Sequence, residues 1–153
     1  MKKQLDLVIR QATQHDLPTW SRMRAQLWPT ESAKQHAHDL GSFFKNSKTT
    51  RAWIALSKNK PIGFAESSVR PFANGCDSFP VVFLEGIWVD PALRKHGVAR
   101  SLVQAVENWA KSKGILEIGS DTQLTNKLSQ KCHKKWGFEE TERVVYFRKI
   151  LTN

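Results

Sequence analysis

The rest of the chain is organised around one segment, which reads Phe83-Leu84-Glu85-Gly86-Ile87-Trp88-Val89-Asp90-Pro91-Ala92-Leu93-Arg94-Lys95-His96-Gly97-Val98-Ala99. The segment completes an apolar run, Val81 to Val89, whose β-branched and aromatic residues predict a buried strand. A turn at Pro91 and a short basic loop then lead into a long helix. One carboxylate, Glu85, interrupts the strand, and its burial is costly unless it is paired or faces a wet cleft.

The loop after this strand has the features of an anion site. In Arg94-x-x-Gly97-x-Ala99, small residues let one backbone approach another closely. The first N–H groups of a helix have no partner within the helix, and Arg94 and Lys95 lie beside them in the sequence. The loop therefore predicts a site for a phosphate or pyrophosphate group.

Two sequence features resemble those of the GNAT acetyltransferase superfamily. Residues Arg94 to Ala99 match its acetyl-CoA loop, a Gln/Arg-x-x-Gly-x-Gly/Ala pattern. Asn126, Ser129, His133 and Gly137-Phe138 then fit its second pattern, an Asn, a small residue three on, an aromatic seven on, and Gly-Phe. The resemblance implies acetyl-CoA as the co-substrate. It also implies a cofactor site formed by Ile87, Trp88, Val89, Arg94, Lys95, His96, Gly97, Val98, Ala99 and Asn126.

Length and composition predict one soluble globular domain over residues 1–153, since 40% of the residues are hydrophobic and 25% are charged. No apolar run approaches the roughly 20 residues that a membrane span needs. The N-terminal residues Met1 to Asp6 have no apolar core of a signal peptide behind them. We therefore expect a cytoplasmic protein. Cys76 and Cys132 form no metal or redox spacing, and no metal site is predicted.

Apolar spacing and turn residues predict the order of the elements. The expected elements are a strand Leu5–Arg10, a helix from Thr13–Asp16 to Trp28, a helix Ser32–Asn46, a hairpin of Thr50–Ser57 and Pro61–Val69, a loop Pro71–Pro80, a strand Val81–Val89, a helix Gly97–Lys113, a strand Ile115–Gly119, a helix from Leu124 to Trp136 and final strands in Glu139–Leu151. This order indicates an α/β (α+β) fold with helices on both faces of one sheet. The resemblance implies a mixed, mostly antiparallel sheet that splays between strands four and five, with pantetheine between them.

Four segments together resemble one group within the superfamily, the bacterial aminoglycoside 6'-N-acetyltransferases. They are Leu27-Trp28-Pro29, Phe83 to Val89, Gly119-Ser120-Asp121, and Glu142 to Phe147. The loop Val69 to Pro80 diverges, with Pro71-Phe72 where the group would have a tyrosine-bearing segment. The resemblance implies transfer of acetyl from acetyl-CoA to the 6'-amine of an aminoglycoside antibiotic by direct attack, which confers resistance, and it implies a homodimer.

The charge of the chain has to be reconciled with this substrate. The net charge is +10, whereas aminoglycosides are polycations, so the local field must differ from the average. We expect an acidic acceptor cleft that contains Glu66, Asp77, Glu85 and Asp121, with solvent-facing carboxylates as the alternative for Glu66 and Asp77. Trp28 is expected to cover a sugar face, unless it fills the core. Tyr146 is expected as a wall of this cleft or a reserve proton donor.

The acceptor amine must lose a proton before it attacks the thioester. Glu85 and Asp121 match positions that the resembled group uses to bind or deprotonate the amine, and a carboxylate in a partly apolar strand can accept a proton directly or through water. The alternatives are a paired structural role for Glu85 and a helix cap near Leu124 for Asp121. The backbone N–H of Trp88 or Val89 is expected to stabilise the tetrahedral oxyanion.

His133 departs from the superfamily pattern, which has a tyrosine at this position. We expect the imidazole to give the departing thiolate a proton, although it could instead pack or bond a CoA oxygen while the thiolate leaves unassisted. Three other functions stay open at this point: a GNAT enzyme acting on polyamines or protein amines, a CoA sensor without activity, and a basic nucleic-acid-binding module. The last predicts salt-sensitive nucleic-acid binding and no affinity for CoA. The favoured reading has no nucleic-acid or membrane partner.

Overall fold

The structure, a computed structural model, describes residues 5–152. Residues 1–4, part of the segment used above to argue against a signal peptide, and residue 153 lie outside this range. The strands are β1 (Leu7–Gln11), β2 (Thr50–Ser57), β3 (Lys60–Arg70), β4 (Val81–Val89) and β5 (Ile118–Ser120). The helices are α1 (Leu17–Leu27), α2 (Ala33–Lys45), α3 (Val98–Ser112) and α4 (Lys127–Lys135), with short 3-10 turns at Gln14–Asp16 and Pro91–Leu93.

The five strands form one sheet in the order of the sequence, from β1 to β5. Each neighbouring pair is antiparallel except β4 and β5, which run parallel. β5 pairs only with Val82, Phe83 and Leu84, so within the described residues the second half of β4 has no strand neighbour on that side. The sheet is therefore mixed, mostly antiparallel and open between strands four and five, and the predicted fold class is confirmed.

Helices cover both faces of this sheet. Trp20 of α1 and Leu40 of α2 pack with Ile54 of β2 in one buried cluster. The adjacent residue Trp53 stacks edge-on against Trp109 of α3, with 5.9 Å between the ring centroids. Because successive side chains of a strand point to opposite faces, α3 lies on the face opposite α1 and α2. None of the helices in residues 5–152 has the length and apolar character needed to cross a lipid bilayer.

The chain falls into two compact units. The first ends at Ser120 and contains the sheet with α1, α2 and α3. The second begins at Asp121 and contains α4 and the C-terminal segment. The single domain expected over residues 1–153 stays a prediction.

The strands predicted between Glu139 and Leu151 are wrong for this structure, because none of residues 138–152 lies in a helix or strand. A strand is defined by hydrogen bonds to a neighbouring strand, and a suitable local pattern does not supply that neighbour. The apolar side chains of the segment are exposed instead, at 78% for Val145, 76% for Tyr146 and 94% for Phe147.

Candidate active site

β4 contains a bulge at Glu85. Glu66 of β3 lies opposite Gly86, and Ser67 lies opposite Leu84, so Glu85 is the extra residue between two paired positions. A bulge bends the strand and changes the direction of the side chain it carries. The bulge thus places one carboxylate at the point where pairing between β4 and β5 has ended.

Two residues of β3 hold the Glu85 carboxylate. The Ser68 hydroxyl donates to Oε1, and the Arg70 guanidinium donates from Nε to Oε1 at 3.0 Å and from Nη2 to Oε2 at 2.6 Å. The guanidinium also lies 3.6 Å from the ring centroid of Phe83. A carboxylate has about four acceptor positions, so these three bonds leave one on Oε2. Because 30% of the Glu85 side chain is exposed, this position remains reachable by a proton donor.

Glu66 lies beneath this surface and is only 2% exposed. Trp20 Nε1 donates to its carboxylate at 2.8 Å, and Arg24 Nε forms an ion pair with it at 2.8 Å. Burial raises the pKa of Glu66 to about 7, and the charge of Glu85 adds to this, while Arg24 and Trp20 oppose it. Glu66 is therefore not the solvent-facing carboxylate considered above, and its burial argues against direct contact with an acceptor.

Trp28 lies directly against the β4 backbone. A Cβ added to Gly86 would come within 2.4 Å and 2.7 Å of two atoms of the indole ring, so only glycine permits this approach. The Arg24 guanidinium lies 4.9 Å from the centroid of the same ring. The indole of Trp28 thus lies against the residue that follows Glu85, and Arg24 contacts both this indole and the buried Glu66.

The loop before α3 keeps the geometry expected of an anion site. Gly97 has φ +81° and Lys95 has φ +65°, and Arg94 Nε donates to the carbonyl of Val89 at 3.1 Å. Among the described residues, no side chain caps the start of α3. The first N–H groups of this helix, from Val98 on, therefore have no helical acceptor and point out of an exposed, basic loop.

The amides of β4 divide between its two sides. The N–H of Asp90 donates to the carbonyl of Ile62 at 2.9 Å, toward β3. Because amides alternate in direction along a strand, the Trp88 N–H also points toward β3, whereas those of Ile87 and Val89 point to the open side. Of the two predicted oxyanion donors, Val89 has an N–H that points to the open side of β4, whereas the N–H of Trp88 points toward β3.

In the first unit, Asp77 is held through its backbone. The N–H groups of Asp77 and Ser78 donate to Glu117 Oε1 at 2.8 Å and 3.0 Å. Glu117 immediately precedes β5, so these bonds tie the loop after β3 to the strand next to β4. The side chain of Asp77 is exposed.

In the second unit, Asn126 caps α4, because its Oδ1 accepts the N–H of Ser129 at 3.0 Å. The helix-cap role considered for Asp121 therefore belongs to Asn126. Asp121 itself lies exposed in the segment between β5 and α4. Tyr146 is exposed in the C-terminal segment.

His133 is oriented by its own helix. Its Nδ1 lies 2.8 Å from the carbonyl oxygen of Ser129, so this nitrogen is the donor of that bond. The rings of Trp136 and Phe138 each lie 5.2 Å from the imidazole, centroid to centroid. Any proton that His133 gives to a leaving group would consequently come from Nε2.

Comparison with known proteins places this chain in a family. The model of the acetyltransferase (GNAT) family matches residues 11–138. The chain is also 46% identical over 142 residues to aminoglycoside N(6')-acetyltransferase type 1 of Salmonella typhimurium, an alignment that covers 92% of this chain and 97% of the relative. The chain belongs to the GNAT acetyltransferase family. The resemblance inferred from the two motifs is confirmed.

Solved structures agree with this assignment. This GNAT acetyltransferase matches aminoglycoside N-acetyltransferase AAC(6')-Iy in complex with CoA with a TM-score of 0.90 and 43% identity, over 97% of this chain and 98% of that one. It also matches AAC(6')-Iy in complex with the bisubstrate analogue CoA-S-monomethyl-acetylneamine, with a TM-score of 0.89 and 44% identity, over 95% and 99% of the two chains. Membership of this family favours an enzyme over the nucleic-acid-binding module considered above.

Four residues of this GNAT acetyltransferase that hold Glu66 and Glu85 were not predicted from the sequence: Trp20, Arg24, Ser68 and Arg70. Glu117, which accepts the backbone N–H of Asp77, was not predicted either. The bulge shifts the register of β3 against β4, so alternation along the strands does not predict which residues meet Glu85. Gly86 did carry a signal, because a glycine inside an apolar strand indicates a bulge or a close approach.

Proposed function

We propose that this protein is an aminoglycoside 6'-N-acetyltransferase that transfers acetyl from acetyl-CoA to the 6'-amine of aminoglycoside antibiotics and so confers resistance. The observation that carries the proposal is the end-to-end likeness to relatives of that name, at 37–46% identity. The local geometry supports it, because the partly exposed carboxylate of Glu85 follows the end of β5 pairing, and the Trp28 indole packs on the next residue, Gly86. An indole covers the apolar face of a sugar well.

Acetyl-CoA would be held by two parts of the first unit. The N–H groups at the start of α3 and the cationic side chains of Arg94 and Lys95 suit its pyrophosphate. The Ile87 amide, which points away from β3, suits the pantetheine arm, which carries amide groups of its own, and the Val89 amide on the same side suits the thioester. We further propose His96, Gly97 and Ala99 as loop contacts, with Asn126 as a contact from the second unit.

The reaction we propose is direct attack of the neutral amine on the thioester carbonyl. Glu85 accepts the ammonium proton on the remaining position of Oε2, and Asp121 binds or deprotonates the same cationic acceptor. The Val89 N–H stabilises the oxyanion that forms as the N–C bond is made. Collapse of the tetrahedral state breaks the C–S bond. The CoA thiolate takes its proton from Nε2 of His133 in the imidazolium form, and the new amide nitrogen releases its surplus proton to water.

We also propose that the enzyme is a homodimer and works in the cytoplasm, where acetyl-CoA is formed. The C-terminal segment supports the dimer, because it exposes large apolar side chains on either side of Arg148 and Lys149. They are Val144, Val145, Tyr146, Phe147, Ile150 and Leu151. Large exposed apolar patches mark interaction surfaces.

The test is an assay of free thiol release with acetyl-CoA and kanamycin, followed by mass spectrometry to locate the acetyl group. An aminoglycoside with a hydroxyl group in place of the 6'-amine is the matched control. We expect thiol release with kanamycin, acetyl on its 6'-amine, and little N-acetylation of the control. Release with polyamines or peptides but not with kanamycin would overturn the acceptor class and favour the alternative GNAT function.

A further inference from the structure

Three side chains of types that can bind metal ions lie close together where the loop after α1 leads into α2. One ligand atom from each of Glu31, His36 and Asp39 lies within 4.8 Å of the other two. Glu31 and Asp39 are exposed, whereas His36 is only 1% exposed. The arrangement is therefore a buried imidazole that faces two accessible carboxylates.

The proton of His36 is fixed by its environment. Nε2 lies 3.1 Å from the carbonyl oxygen of Trp28, which can only accept, so Nε2 carries the hydrogen and Nδ1 carries a lone pair. Nδ1 is buried, and in residues 5–152 it has no hydrogen-bond partner. It lies 3.7 Å from Glu31 Oε2, so an unpartnered lone pair faces a carboxylate oxygen.

A cation between His36 Nδ1 and Glu31 Oε2 would remove the repulsion between the lone pair and the carboxylate. Adding a proton to Nδ1 would not make a hydrogen bond, because 3.7 Å is beyond the usual N–H···O range. Two ligands that each lie about 2.0–2.1 Å from one tetrahedral ion are separated by about 3.4 Å, close to the observed distance. Metal-bound histidines also typically donate their other ring N–H to a backbone carbonyl, as Nε2 does here.

We propose that Glu31, His36 and Asp39 bind a divalent transition-metal ion of the Zn²⁺ type, with water completing the coordination. An imidazole with two carboxylates suits Zn²⁺ better than Mg²⁺ or Ca²⁺, which prefer oxygen ligands alone. The helix supports the geometry, because His36 and Asp39 are three residues apart and share one face. Gln35 Nε2 donates to Asp39 Oδ1 at 3.0 Å, which orients the second carboxylate.

The metal site is tied to the proposed acceptor site by one hydrogen bond. The carbonyl that accepts from His36 belongs to Trp28, the residue whose ring lies against Gly86. An ion on Nδ1 would fix the imidazole and, through it, the backbone of Trp28. The site itself does not depend on the proposed function, and binding of the metal is tested without measuring activity.

The test is calorimetric titration of the untagged, chelator-stripped protein with Zn²⁺. We expect saturation at one ion per chain. The double variant Glu31→Gln/Asp39→Asn changes only exposed side chains, so it should keep the circular dichroism spectrum and weaken Zn²⁺ binding by at least about tenfold. His38→Gln, an exposed histidine on the same helix, is the matched control and should bind as the wild type does.

Co²⁺ provides a second readout, because its visible spectrum reports coordination by imidazole and carboxylate. The wild type and His38→Gln should give the same spectrum, and the double variant should lose it. The proposal would be overturned by the absence of saturable Zn²⁺ binding in the wild type or by equal binding in the double variant. Loss of binding in His38→Gln, or equal affinity for Mg²⁺, would also contradict it.

Discussion

At the scale of single residues, the proposed chemistry depends on the carboxylate of Glu85. Glu85→Gln preserves the size of the side chain and one oxygen that can accept from Ser68 Oγ and Arg70 Nε, but it loses the acceptor for Arg70 Nη2 and removes the base. We expect kcat to fall by at least about tenfold, since general bases contribute about 10²–10⁴-fold. Steady-state kinetics with kanamycin measure this, with circular dichroism to show that the fold persists. Glu107→Gln on α3 is the control, and a wild-type rate in Glu85→Gln would remove this residue from catalysis.

Glu66 should make stability depend on pH. Its pKa is about 7 in the folded protein against 4.5 for the free side chain, so between these values the native state holds a proton that the unfolded chain has released. The contribution of Glu66 to the free energy of unfolding is therefore largest below its unfolded pKa of 4.5. It is lost as the pH rises toward the folded pKa of about 7.

Glu66→Gln removes this titration. Going from about pH 5 to about pH 8, the wild type should lose stability relative to the variant, on the order of 3 kcal/mol. Urea unfolding of both proteins at a series of pH values measures the difference. A constant difference across the range would show that Glu66 is already ionised at acidic pH in the folded state.

Gly86 tests the placement of Trp28. A methyl group at Gly86 would lie 2.4 Å from the indole, so Gly86→Ala must displace the ring or the strand. We expect the KM for kanamycin to rise about tenfold, which corresponds to ~1.4 kcal/mol and lies within the usual cost of overpacking.

Gly41→Ala is the matched control for Gly86→Ala. Nothing lies within 4 Å of a Cβ at Gly41, which is in the exposed face of α2. This substitution should leave the KM unchanged and stabilise the protein by about 0.5–1 kcal/mol. Equal KM values in the wild type and Gly86→Ala would contradict the role of Trp28 in acceptor binding.

At the scale of elements, α3 offers a controlled test of the anion site. Gly97 and Gly114 flank the two ends of this helix, both have positive φ, and a Cβ at either would meet nothing within 4 Å. Gly97→Asp and Gly114→Asp should therefore carry similar backbone strain. Only the first places a negative charge where the pyrophosphate is proposed to bind.

We expect Gly97→Asp to raise the Kd for CoA by at least about tenfold and Gly114→Asp to leave it near the wild-type value. Equilibrium titration with CoA measures both, and thermal unfolding checks that the two variants are equally stable. Retained tight binding by Gly97→Asp would contradict the proposed position of the pyrophosphate.

The elements themselves were largely predictable. β4 and α3 have clear apolar patterns, and Gly97 and Gly114 mark the ends of α3 as the sequence suggested. The partners of the carboxylates were not predictable, because they depend on the register between strands. The bulge moves Arg70 and Ser68 toward Glu85 rather than toward the positions that simple alternation would give.

The triad of Glu31, His36 and Asp39 illustrates the same limit. Histidine and two carboxylates within nine residues are unremarkable in a sequence, and none is part of a metal-binding spacing. What distinguishes them is the burial of His36 and the carbonyl that fixes its proton. That carbonyl belongs to Trp28, the residue at which α1 ends.

At the scale of the whole molecule, the C-terminal segment determines the expected assembly. The apolar pattern of residues 139–151 predicted strands. A strand forms only where a partner strand is available, and a local pattern does not predict that partner. The exposed apolar side chains of this segment fit the proposed contact with a second copy of the chain.

The double variant Val145→Asp/Phe147→Asp should convert a dimer into a monomer, because it places charges in the proposed contact. Light scattering after size-exclusion chromatography measures the mass. Leu116→Asp, at a residue that is 87% exposed in the first unit, is the control and should leave the mass unchanged. A monomeric wild type, or a dimeric double variant, would contradict the proposed homodimer.

The contact between Arg70 and Glu85 has a further consequence for the choice of acceptor. In the free enzyme the guanidinium already binds both oxygens of this carboxylate, so an ammonium group that binds Glu85 as proposed would share the negative charge with Arg70. A monoamine offers one charge and must compete for Glu85 alone. A polyamine or an aminoglycoside brings several charges, and those bound elsewhere raise the effective concentration of the amine at Glu85. If Glu85 binds the acceptor as proposed, the enzyme would discriminate against simple amines at the binding step.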